Sequence, residues 1–351
     1  MTETPMTSPA HAAESLTPAS SVDYPYAHTS LLPLVGTLAV LALLPAVFLA
    51  GDLYMLSVLA GAFLTAAACV GLAIVTGWAK LLSFSQGAIY GVGAYAAGII
   101  ATRHDVPMWL IMTVSILAGA LTGLVLALPT LRLQGAYFGI ATIGIQMLII
   151  GLLVKGGDLT GGPTGIAGLP LPTVWGKELF EPGELYYLTL AWLAVVSLLA
   201  GWLWRSRIGW EIRLTGHNSG LADAFGIPVV RRKVIAFMLA SGIGAGTGCL
   251  HAYVYGVIDP FGFGIQFSAV LLIIVLLGGK HGRVLATMVA AILITLLPEY
   301  LRSFADIRLL VYGLVVICLV LFAPGGLSGL WDRAWSLFRG FATNSKGATL
   351  K

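Results

Sequence analysis

Residues 54–75 read YMLSVLAGAFLTAAACVGLAIV, an unbroken run without one charged side chain. Wound as an α-helix, such a run is about 33 Å long, and a bilayer core of about 30 Å needs about 20 apolar residues to cross. Working outward in both directions, the same ruler finds nine more runs, so the chain reads as an all-α polytopic membrane protein of about ten transmembrane helices. The composition agrees. Of 351 residues, 58% are hydrophobic and 10% charged, where a soluble domain carries about 25% charge. A water-soluble globule is ruled out. The 44 glycines add small residues of the kind that let helices approach closely in lipid, where no hydrophobic force drives helix against helix.

The ten expected spans run near Leu31–Ala50, Tyr54–Val75, Gly87–Thr102, Met108–Leu128, Ala136–Val154, Leu185–Trp204, Val234–Tyr255, Phe267–Gly279, Val284–Leu301 and Leu309–Phe322. Lys and Arg are retained on the cytoplasmic side of a membrane. With the amino terminus inside, 14 of the 19 basic residues fall in inner segments, and Arg103, Lys155, Lys177, Arg302 and Arg308 make up the outer remainder. Both termini are therefore expected to be cytoplasmic.

Residues 1–30 are rich in Ala, Ser, Thr and Pro and contain no Lys or Arg. They lack the charged segment of a signal peptide and read as a disordered tail; residues 331–351 read as a second cytoplasmic tail. Two loops are long enough to do more than connect. The outer one, 155–184, is dense in Gly and Pro from Gly156 to Pro172, which excludes regular helix over its first half. The inner one, 205–233, holds six basic residues and a short helix signal: Asn218 or Ser219 as N-cap, Leu221 and Phe225 four apart, Gly226 past the end, Pro228 as stop.

The net charge of +4 does not indicate a nucleic-acid partner, because the basic residues lie in short loops rather than on one soluble face. Cys69, Cys249 and Cys318 sit inside apolar runs with no disulfide or metal-ligand spacing. No phosphate loop, zinc motif or paired catalytic carboxylates occur, and no cofactor is implied. Gly91, Gly93 and Ala96 match the glycine spacing of a dinucleotide fingerprint, yet within an apolar helix they point to close helix packing, as do Gly242, Gly244, Gly246 and Gly248. Charges at membrane depth, the mark of gradient-driven carriers, are nearly absent. His251 and Glu299 near helix ends can be read as relay groups or as ordinary interfacial residues.

Several segments are recognisable together: GWAKLLSFSQGAIYGVGAY at 77–95, PTLRLQGAYFGIATIG at 129–144, LTGGPTGIAGLP at 159–170, RSRIGWEIRLTGHNSGLADAFGIPV at 205–229, LLPEYLR at 296–302 and FAPGGLSGL at 322–330. In this order the chain resembles the LivM-type permease subunits of ATP-binding-cassette importers for branched-chain amino acids. The resemblance implies a multi-pass protein of a bacterial plasma membrane (the inner membrane in a Gram-negative cell) with no catalytic activity of its own. It also implies as partners a homologous LivH-type permease, two ATPase subunits and an extracytoplasmic substrate-binding protein. A cytoplasmic helix of such permeases transmits nucleotide-driven closure, and the matching residues here are Arg213, Leu221, Ala222, Asp223, Ala224, Phe225 and Gly226. Gly216, His217 and Ser219 stand where the family is usually charged, Phe225 where it has Leu, Lys80 at a normally small position and Met147 where an acidic residue is common.

For the substrate path, the candidates are polar groups in or at the mouth of apolar helices: Ser83, Ser85, Gln86, Tyr137, Thr142 and Gln146. Each can instead make an interhelical hydrogen bond of about 1 kcal/mol. Two other readings stand beside the amino-acid importer. One keeps the class and changes the cargo to urea, a short amide or an aromatic acid; the other is a passive channel or gradient-driven carrier, which would work without ATPase subunits.

Overall fold

A computed structural model describes residues 32–48, 53–301 apart from 132, 134, 175–176 and 280–282, and residue 313. The helices in chain order are α1 (Leu32–Phe48), α2 (Leu53–Ala73), α3 (Gln86–Arg103), α4 (Met108–Thr130), α5 (Ala136–Lys155) and α6 (Pro182–Arg205), then α7 (Arg207–His217), α8 (Ser219–Ala224), α9 (Val229–Tyr255), α10 (Ile265–Gly278) and α11 (Val284–Tyr300). Nine of the ten expected runs lie on α1–α6 and α9–α11, and the tenth, at 309–322, lies outside the described residues. Among the described residues, six helices are long and apolar enough to cross a membrane, and Leu32–Pro45 and Val284–Tyr300 are shorter apolar helices. The tails at 1–30 and 331–351 also lie outside the described residues.

Two helices form the centre. α2 is enclosed by α6, α9, α10 and α11, and α9 is enclosed by α2, α3 and α4. Close approach to α9 depends on glycine: a methyl group on Gly93 would overlap the backbone of Ala245, and one on Gly248 would overlap the carbonyl of Tyr90. This is how small residues hold helices together in lipid. The end of α2 departs from regular winding. Residues Ile74–Trp78 form a π-helical turn, with the Ala79 N–H donating to the Ile74 carbonyl at 3.2 Å. Lys80 follows with φ +57°, and 79–85 is irregular.

The loop at 155–184 is built from single turns and two-residue strands. β1 (Ile166–Ala167) pairs antiparallel with β4 (Val257–Ile258), while β2 (Thr173–Val174) pairs with β3 (Lys177–Glu178). Arg103 donates to the Asp158 carbonyl at 2.9 Å, and Gly168 N donates to the Gly256 carbonyl at 3.2 Å. The loop is thus tied to the ends of α3 and α9. Lys177 pairs with Glu184, which also completes a capping box at the start of α6. Beside this end, the Tyr54 hydroxyl donates to Glu299 at 2.7 Å.

The 205–233 segment carries more structure than its sequence signal suggested. Besides α8 it contains α7, a helix of 11 residues. Its N-cap is Ser206, whose hydroxyl accepts from Gly209 N at 3.1 Å and which therefore supplies a second start signal upstream of Asn218.

Candidate functional site

α3 starts deep in the bundle. The Gln86 side chain donates to the carbonyl of Ala240, 11 residues past the start of α9 at Val229, a rise of about 16 Å. A helix that begins there leaves its first N–H groups in an apolar interior, where each needs a partner. Side chains from two other helices supply them. Gly87 N donates to the Ser268 hydroxyl on α10 at 2.8 Å, and Ala88 N donates to Gln146 Oε1 on α5 at 2.8 Å.

Gln146 holds the junction together. Its Oε1 also accepts from the Ser268 hydroxyl at 3.2 Å, and its Nε2 donates to the Phe263 carbonyl at 2.5 Å, just before α10. One turn away, Phe84 N donates to the Thr142 hydroxyl at 3.0 Å, and that hydroxyl donates to the Gly139 carbonyl at 2.7 Å. Ser83 and Ser85 share a hydrogen bond at 3.0 Å. Five of the six candidate path residues, Ser83, Ser85, Gln86, Thr142 and Gln146, are therefore gathered and buried around the start of α3. The sixth, Tyr137, is 73% exposed on the open face of α5. Ser268 completes the group and was not singled out from sequence, although a lone Ser in an apolar run carries the same signal as Ser83.

Two short helices, α3 and α10, thus point their N-terminal ends at one place. Each such end carries partial positive charge, and discontinuous helices meeting inside a bundle are a recurrent way to present backbone dipoles to a substrate. His251 lies outside this junction. Its ring packs among Tyr255, Tyr90 and Phe263 at centroid distances of 4.4, 5.4 and 5.5 Å.

The second candidate site is the α7–α8 pair. Asn218 caps α8 by accepting from Leu221 N at 3.0 Å. At the other end, Gly226 has φ +71°, Gly226 N donates to the Asp223 carbonyl at 2.9 Å, and Ile227 N donates to the Ala222 carbonyl at 3.0 Å. This is a Schellman ending, in which the residue after the cap takes the left-handed conformation that favours glycine. Between the caps, Ala222 is buried, while Leu221, Asp223, Ala224, Phe225 and Gly226 are exposed. Phe225 at 68% exposure is an apolar knob with little cover from its own chain.

α7, by contrast, is fastened. Glu211, 3% exposed, binds Arg207 at 2.9 Å and also pairs with Arg232 of α9. Arg213 donates to the Trp204 carbonyl at 2.6 Å, and its guanidinium lies 3.9 Å from the centroid of that indole. His217, at the end of α7, is held below the usual imidazole range by burial and by the nearby charges of Lys80 and Arg213.

Comparison with known proteins places this architecture. No solved structure matches the chain. Two curated relatives are the high-affinity branched-chain amino acid transport system permease proteins LivM of Salmonella typhimurium, 28% identical, and of Escherichia coli, 29% identical; each alignment covers 74% of this chain and 66% of the relative. The chain thus spans just under two thirds of the length of those proteins. A third, the autoinducer 2 import system permease protein LsrC of Klebsiella pneumoniae, is 28% identical over 64% of each chain. The profile of one family, described as the permease component of branched-chain amino acid transport systems, matches residues 54–323. That match takes in the polar junction, the α7–α8 pair and the tied loop at 155–184, and the chain belongs to this family.

Proposed function

We propose that this chain is a permease subunit of an ATP-binding-cassette importer and forms part of the path for branched-chain amino acids, with hydrolysis supplied by separate ATPase subunits. The observation that carries the reading is the family match over 54–323, within which the irregular segment 79–85 runs from the contact with α7 to the polar junction at Gln86, and α7 leads into a capped, exposed α8. On this reading the chain spans a bacterial plasma membrane about ten times with both termini cytoplasmic. It pairs with a homologous permease, two ATPases and an extracytoplasmic receptor.

Substrate passes near Ser83, Ser85, Gln86, Thr142 and Gln146, with Tyr137 on the open side of α5. A zwitterion crossing there loses water, and hydroxyls, amides and helix ends replace it without a fixed charge. Ligands with an apolar side chain suit the surrounding wall; cationic or dianionic ones do not. Leu221, Asp223, Ala224, Phe225 and Gly226 present α8 to the ATPase, Ala222 seats the helix on its own chain, and Arg213 holds α7 beneath it.

The test is reconstitution of the complete importer in liposomes. Leucine, isoleucine or valine should enter, and should stimulate hydrolysis, only with the receptor and ATP present; uptake without ATPase subunits, or strong stimulation by arginine or glutamate, would sink the reading. Gly226→Val should leave hydrolysis running and reduce uptake, since a β-branched residue strains the φ that ends α8. Sidedness is checked separately. In a cysteine-free background, Thr164→Cys and Ser219→Cys should label from opposite faces of the membrane.

A further inference from the structure

The contact between α7 and the end of α2 is made backbone to backbone. A methyl group on Gly216 would overlap the Trp78 carbonyl and sit 2.9 Å from the Ala79 carbonyl carbon. The three atoms nearest to that methyl all belong to the backbone of Trp78 and Ala79. Beside it, three side chains form a continuous stack: the Arg213 guanidinium over Trp204, and Trp204 edge-on to Trp78 with ring centroids 5.1 Å apart. Trp78 is 1% exposed and is the last residue of the π-helical turn. A π turn carries one residue more than an α turn, and its rewinding shifts the chain beyond it, which is why such turns concentrate at functional sites.

The chain beyond it is short. Leu81 N donates to the Val75 carbonyl at 3.1 Å, and the Thr76 hydroxyl donates to the Leu81 carbonyl at 3.1 Å, so the exit from the turn is held to the turn itself. Phe84 and Gln86 then bind Thr142 of α5 and Ala240 of α9. Few residues separate the stack from the polar junction.

We infer that Arg213, Trp204 and Trp78 are positioning residues that carry movement of α7–α8 into the π turn at the end of α2, and from there through 79–85 to the junction formed by Gln86, Gln146 and Ser268. This rests on the reading of α7–α8 as the element that contacts the ATPase. The ion pair of Glu211 with Arg232 keeps α7 moving with the start of α9, while the stack gives it a second outlet toward α3 and α5.

The experiment measures amino acid imported per ATP hydrolysed by the complete importer in liposomes, at equal amounts of assembled complex. Arg213→Leu should keep receptor-stimulated hydrolysis while the import ratio falls about tenfold, the scale of one desolvated cation–π contact. Arg213→Lys, which keeps a cation over the ring, should recover most of it, a rescue that a purely space-filling role would not give. Trp78→Phe should lower the ratio as well, and it decides the matter if Arg213→Leu does not assemble. The Arg213→Leu/Trp78→Phe double variant should be no worse than the poorer single one, because both interrupt one series connection.

An unchanged ratio in Arg213→Leu and Trp78→Phe, or multiplicative losses in the double variant, would overturn the relay. Phe225→Ala separates the two levels of the proposal. If it lowers the ratio while the stack variants do not, the ATPase contact stands and the relay fails. If Phe225→Ala and Leu221→Ala leave hydrolysis and import untouched, the contact fails and the relay with it.

Discussion

α4 and α5 are neighbours of similar length, and in each only 28% of the most apolar stretch is buried within the chain, yet they are attached by different means. α4 turns its glycines inward. A methyl group on Gly119 would overlap Ala245 and sit 2.7 Å from the Ser241 carbonyl, and one on Gly123 would lie 2.6 Å from Ser241 Cβ. Its outward face is Trp109, Val114, Leu117, Leu121, Val125 and Leu128, all large. α5 is held by Gln146 and Thr142 instead, and it turns Gly144 and Gly151 outward, where an added methyl would meet nothing within 4 Å. The direction of the glycines, rather than their number, distinguishes a surface fit for lipid from one fit for another helix, because small residues gain nothing against acyl chains and allow close approach between backbones. On the importer reading proposed above, the open face of α5, with Tyr137, Ile140 and Met147 around those glycines, is the side expected to meet the homologous permease.

The largest effect is expected at α4. Gly119→Leu forces a side chain into the backbone of α9 and should cost about 3 kcal/mol or more, beyond what a well-packed core absorbs. The purified chain should lose its cooperative thermal transition; a normal melting curve would mean that α4 is not seated as described. Gln146→Leu comes next. It strands Ala88 N and the Phe263 carbonyl in an apolar interior and should cost about 2 kcal/mol, read from the thermal midpoint in detergent. A shift no larger than that of a surface variant would show that α5 is held by packing after all.

Gly144→Leu inverts the expectation. The chain alone should melt within about 0.5 kcal/mol of the parent, while co-purification of the partner permease falls. Retained pairing would remove the distinction between the two helices, because the α5 face would then behave as lipid-facing. The smallest effect belongs to Leu121→Ala on the outer face of α4, where neither stability nor pairing should change measurably. Loss of pairing there would move the interface to the wrong helix.

Much of this arrangement is legible in the sequence, for a physical reason. The apolar runs are set by the thickness of lipid, so the helices α1–α6 and α9–α11 are legible from length and composition, six of them long and apolar enough to cross a membrane. The break before α3 is visible too, since Lys80, Ser83, Ser85 and Gln86 interrupt the apolar pattern between two runs. The company those residues keep is not. Ser268 meets Gly87 only because α10 folds back beside α3, and nothing local to either run encodes that approach. α7 was hidden for another reason: its basic and polar residues mask a helix whose start signal is a single Ser206 hydroxyl. The stack of Arg213, Trp204 and Trp78 joins three elements, and a linear reading meets each of its members alone.

The mid-depth start of α3 also constrains how the chain is made. The Gly87 N–H waits for a hydroxyl 181 residues later in the chain, which at a synthesis rate of about 5–20 residues per second arrives roughly ten to forty seconds later. Until then the first turn of α3 has no permanent acceptor from α10, and a bare N–H in hydrocarbon is costly. The growing protein must keep that segment at the membrane edge, in water or against the insertion machinery, and draw it inward after α10 has emerged. Assembly of the junction is thus a late event, and a chain truncated before Ser268 should carry α2 across the bilayer while leaving α3 incompletely settled.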